Sequence, residues 1–114
     1  MHTLAHKRAL VIDDEPLVSL LLEDILREQG YEVTVVNTHE ALEEALSGKW
    51  YEVAVTDTDL ATLAAMSKWS VDRIIICSGK SANELQQHYP GVPIIQKPID
   101  EALLTQLLSE PTRS

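Results

Sequence analysis

The chain has 114 residues, 45% of them apolar and 24% charged, enough for one domain with its own core and too few for a second folded module. Nine Lys and Arg against eighteen Asp and Glu leave a net charge of -9, a field that repels phosphate backbones and anionic lipid and argues against nucleic-acid or membrane partners. The only cysteine, Cys77, lacks an internal disulfide partner and sits in an apolar run, as a buried thiol in a reducing, cytoplasmic compartment does.

A single domain over 1–114 is predicted, with 1–7 an N-terminal extension and 110–114 a polar tail around Pro111. The basic start is followed by an apolar run at 9–12 that is too short for a signal peptide or a membrane span. That run reads as the first strand. Pro16 suits a first helical turn, and Val18, Leu21, Leu22, Ile25 and Leu26 recur on one face until Gly30 stops the helix.

Residues 32–36 form a β-branched second strand, and Asn37 or Thr38 caps a helix carrying Ala41, Leu42, Ala45 and Leu46 that Gly48 ends. The third strand spans about 53–56. The stretch 58–72 is near the minimum for a parallel crossover, so its helix is predicted to be short or absent. A fourth strand at 73–77, a helix at 81–89, a fifth strand at 92–95 and a helix at 100–109 complete an alternation that implies an α/β parallel sheet covered on both faces. Trp50 and Trp69 read as partly buried anchors, and the apolar last helix with strand five as an interaction face.

Ligands of open parallel sheets bind beyond the carboxyl ends of the strands. The residues there are Asp13 and Asp14, Asp57, Ser78 and Lys97. Converging carboxylates oppose one another's ionisation unless a cation sits among them, and Mg2+ suits a site of few carboxylates and several waters. A carboxylate nucleophile, a metal, a hydroxyl and a lysine are the parts of a phosphoryl-transfer site. Asp57 is then the nucleophile and phosphoacceptor, with Asp13 and Asp14 holding the metal. Ser78 donates to a phosphoryl oxygen, and Lys97 pairs first with Asp57 and later with the phosphate. Against this stands the simpler reading that Asp13 and Asp14 cap the first helix and Asp57 begins a turn. The histidines at 2, 6, 39 and 88 lack metal-ligand spacing.

The strings Val11-Ile12-Asp13-Asp14-Glu15-Pro16, Val55-Thr56-Asp57-Thr58-Asp59-Leu60, Ile76-Cys77-Ser78-Gly79 and Gln96-Lys97-Pro98 together resemble the response-regulator receiver domains of two-component signalling. The resemblance implies a flavodoxin-like (βα)5 fold with a five-stranded parallel sheet in the order 2-1-3-4-5. It also implies phosphorylation of Asp57 by a sensor histidine kinase or a phosphotransfer protein, and a Mg2+ site that includes Asp57 and the backbone carbonyl of Asp59. Such a domain is not an enzyme beyond catalysing its own phosphorylation and dephosphorylation, and its output is a downstream protein target or a homodimer.

Two departures stand out. Ala61 follows Leu60 where the family has proline, with a shortened segment to Ser78, and Ile94 occupies the position of the family's aromatic switch. With the Val-Pro-Ile-Ile-Gln-Lys-Pro ending, these resemble an atypical subgroup of stand-alone receivers. One competing function is a receiver-like docking module that is never phosphorylated. Another is a haloacid-dehalogenase-type phosphatase, whose nucleophile motif Asp57-Thr58-Asp59 resembles, although the double aspartate here comes too early in the chain for that family.

Overall fold

The computed structural model describes residues 7–58 and 63–109. Successive strand residues point to opposite faces of a sheet, and here both sets are apolar, as a sheet buried on two sides requires. Five parallel strands, β1 (Arg8–Ile12), β2 (Glu32–Val36), β3 (Tyr51–Thr56), β4 (Val71–Ser78) and β5 (Ile94–Gln96), pair in the order β2-β1-β3-β4-β5. Between and after them run α1 (Pro16–Glu28), α2 (His39–Leu46), α3 (Leu63–Met66), α4 (Ala82–His88) and α5 (Glu101–Ser109). This is the flavodoxin-like fold the sequence predicts.

On one face Ala9, Val11, Val53, Val55, Ile75, Cys77 and Ile95 pack against Leu22, Ile25 and Leu26 of α1 and Leu104 of α5. On the other face Leu10, Ile12 and Ala54 meet Leu42 and Ala45 of α2, while Ile76 packs with Met66 of α3 and Leu85 of α4. Ile94 joins this last cluster partly buried, so the position is filled as core. Trp69 packs there too, but Trp50 lies exposed at the rim, its indole N–H donating to Asp72 Oδ1 at 3.0 Å.

Local signals set the element ends. Pro16 opens α1, and Gly30, at φ +92°, lets the chain turn so that the Gly30 and Tyr31 N–H groups donate to the carbonyls of Arg27 and Leu26. Thr38 Oγ1 accepts the Ala41 N–H at 3.1 Å and caps α2. α3 has four residues, in keeping with the short crossover.

On α5 Leu104 is fully buried and Leu107 and Leu108 pack against the core, while Leu103 stays exposed on the face that the sequence offers for interaction. More leucines are exposed on α1, where Leu17, Leu20 and Leu21 share a face at spacings of three and four residues. Among the described residues no helix is long and apolar enough to cross a membrane.

Candidate phosphoacceptor site

Register brings the site together. Ile12 lies beside Thr56 and Thr56 beside Ile76, so the chain leaves β1 and β3 side by side at Asp13 and Asp57, with Ser78 ending β4. Ser78 pairs with Gln96, which places Lys97 next along the same edge. The ladder continues past the strands: the N–H groups of Asp13, Asp57 and Lys97 donate to the carbonyls of Val36, Ile12 and Ser78 at 3.2, 2.9 and 2.7 Å. These backbone positions are therefore held by the sheet itself.

Asp13, Asp14 and Asp57 each present an oxygen such that the three lie within 4.8 Å of one another. Asp13 is 1% exposed and Asp57 4%, while Asp14 is open to solvent. A cluster of carboxylate oxygens this close is the kind of ligand set that a divalent cation can share. The donor set, hard oxygens at a half-open cluster, fits such an ion. Asp59, whose backbone carbonyl the sequence adds to the metal set, lies outside the described residues.

The capping alternative for the double aspartate does not hold. The N-cap of α1 is Glu15, which makes no side-chain capping bond. Asp13 Oδ1 instead accepts the Glu15 N–H at 2.9 Å, and the Asp13 carbonyl accepts the buried Ser19 hydroxyl at 3.1 Å. Both bonds fix the loop that carries the acidic pair.

Ser78 is 5% exposed, and its Oγ accepts the Lys80 N–H at 3.2 Å. Thr56 Oγ1 donates to the Asp57 carbonyl at 2.9 Å, pinning the turn after β3. Thr58 Oγ1 is shielded from water and has no hydrogen-bond partner among the described residues.

The sequence predicts that Lys97 pairs with Asp57, and here the structure differs. The ammonium makes its ion pairs with Asp13 Oδ2, at 3.2 Å, and with Glu15. The physical reason is the turn after β1, which brings two carboxylates, one buried and one exposed, to the end of the lysine side chain. Burial works against the Lys97 charge, but hydrogen bonds to Glu15 and Asp13 outweigh it, and the net shift in its pKa is upward.

Glu15 is thus a site residue that sequence reasoning passed over. Its only signal was adjacency to the double aspartate. Cys77 behaves as read: it is fully buried, and burial pushes its thiol up to about 12, with Lys97 lowering it and Asp13, Glu15 and Asp57 adding to the rise.

Solved structures share the fold. The chemotaxis response regulator CheY4 of Vibrio cholerae superposes with a TM-score of 0.70 at 18% identity, over 91% of this chain and 97% of that one. A CheY-like receiver domain from Methylobacillus flagellatus gives 0.74 at 21% identity, over 91% and 97%. The receiver domain of a sensor histidine kinase from Pseudomonas aeruginosa, with a magnesium ion coordinated in its active-site cleft, gives 0.69 at 20%, over 91% and 95%. Among curated proteins none matches the chain. The response regulator receiver domain family matches residues 9–109, nearly the whole of the sheet and its helices, and the chain therefore belongs to that family.

Proposed function

We propose that this receiver accepts a phosphoryl group on Asp57 from the phosphohistidine of a sensor histidine kinase or a phosphotransfer protein, in a Mg2+-dependent reaction. The carrying observation is the acidic cluster of Asp13, Asp14 and Asp57, which shares one sheet edge with Ser78 and Lys97. An Asp57 oxygen forms the new P–O bond as the P–N bond breaks, and the imidazole nitrogen keeps the electron pair and takes a proton. Asp13, Asp14 and Asp57 would hold the metal with the Asp59 carbonyl. When bound, it supplies positive charge against the phosphoryl oxygens. Ser78 donates a hydrogen bond to one of those oxygens and Lys97 pairs with another.

The exposed leucines support a docking partner. Leu17 is 82% exposed, and with Val18, Leu21, Pro98 and Ile99 it lines a groove of about 450 Å³ that reaches Glu15 and Lys97 at the site. An apolar face beside the reacting groups suits a helix that must present its histidine to Asp57. The likeness to stand-alone receivers extends the reading: output is a change in what the domain binds, a downstream protein or a second copy.

The test is to supply Mg2+ and a small-molecule phosphodonor and measure intact mass. One phosphoryl adduct in the wild type, absent in Asp57→Asn, is expected. The four-residue α3 and Ile94 favour a second reading, docking without phosphorylation. It takes over if neither a small donor nor a cognate kinase gives an adduct.

A further inference from the structure

Lys97 is held at both ends. Its N–H is bound to the Ser78 carbonyl at 2.7 Å, and its ammonium makes ion pairs with Asp13 and Glu15. Glu15 touches this arrangement twice. Its backbone N–H holds one oxygen of the Asp13 carboxylate at 2.9 Å, and its own carboxylate holds the ammonium whose other partner is the second Asp13 oxygen. The Asp13 side chain is 1% exposed, that of Lys97 15% and that of Glu15 58%, so the three form a chain from core to solvent with the lysine between two anions.

We propose that Glu15 is a positioning residue that holds the Lys97 ammonium on the α1 side of the site, and that a phosphoryl group on Asp57 must win the lysine from it. This rests on Asp57 being the phosphoacceptor. With Asp13 engaged in holding a cation at the acidic cluster, Glu15 would be the principal counter-charge for Lys97. The lysine then divides itself between the exposed Glu15 carboxylate and the phosphoryl oxygens. Because Glu15 is largely solvated, its hold is graded rather than absolute, equivalent to roughly a two- to fivefold bias.

Calorimetric titration with beryllium fluoride in saturating Mg2+, which measures uptake of a phosphoryl mimic without any turnover, tests this in the full chain. Glu15→Gln is expected to bind the mimic two- to fivefold more tightly than wild type. Glu15→Asp keeps the charge but is one methylene short of the ammonium, and it is expected to tighten binding similarly. A gain in Glu15→Gln alone means that the carboxylate acts only through its field on an anionic ligand, and overturns the proposal. No change in either variant also overturns it. If the wild type itself takes up no mimic, the phosphoacceptor reading falls first and Glu15 with it. Unaltered melting temperatures of both variants without ligand are the accompanying check on the fold.

Discussion

The sheet edge and the third crossover are built to different standards. At the edge, Asp13, Asp57 and Lys97 are each held by a backbone hydrogen bond that prolongs the parallel ladder, and their side chains converge. In the third crossover, α3 is one helical turn, anchored by the buried Met66 against Ile76 and Leu85. Ile94, where an aromatic ring would be expected to rotate, is part of that same small cluster. The proposed phosphoryl transfer draws on the first region and any transmission of it on the second, so one could be intact while the other is rebuilt.

Substitutions that strike one region alone sharpen the contrast. Met66→Ala, which empties a buried site, is expected to cost about 2–5 kcal/mol in denaturant unfolding while leaving the adduct on Asp57 intact. Loss of the adduct at a temperature where the variant is folded would show the two regions to be coupled. Asp13→Asn does the reverse. It should weaken Mg2+ binding by at least about tenfold, read by calorimetry, while leaving the packing of Met66 against Ile76 and Leu85 untouched.

The smallest effect lies at the opposite end of the sheet. The Tyr31 hydroxyl donates to Glu52 at 2.9 Å, and burial, with that carboxylate, raises its pKa from 10.0 to about 12. A raised folded-state value means the phenol's contribution is complete below pH 10 and is lost as pH climbs from 10 to 12. Tyr31→Phe should cost about 1 kcal/mol at neutral pH and flatten that alkaline decline, with phosphorylation untouched.

The ends of β1 and β3 were legible because each strand runs directly into an aspartate, Ile12 to Asp13 and Thr56 to Asp57, whereas β4 and β5 each run one residue past the predicted end, to Ser78 and Gln96. The beginnings of β3, β4 and β5 were not legible. β3 and β4 each start two residues before the predicted position, since Tyr51 pairs with Val71 and the intervening Glu52 and Asp72 read as loop. β5 starts two residues later than predicted, because Pro93 has no N–H for the ladder and only its carbonyl joins, accepting from Ile76 at 2.9 Å. Where Lys97 points was beyond sequence reasoning for a different reason. Its contact with Glu15 spans 82 positions and depends on a turn fixed by the Glu15 N–H and the Ser19 hydroxyl, both bound to Asp13. The exposed face of α1 was not legible because leucine spacing alone does not say which side of a helix meets the sheet; α1 has leucines on both sides, and only packing separates Leu22 and Leu26 from Leu17 and Leu20.

The burial of Cys77 has a chemical consequence for its neighbour. A phosphoaspartate is a mixed anhydride, open to attack by any good nucleophile close by, and a thiolate is the best that side chains offer. Cys77 immediately precedes Ser78, yet its sulfur belongs to the apolar layer beneath α1 and α5, and its proton stays on until about pH 12. Burial thus removes a thiolate from the nucleophiles that could compete at this edge, were Asp57 to carry a phosphoryl group as proposed.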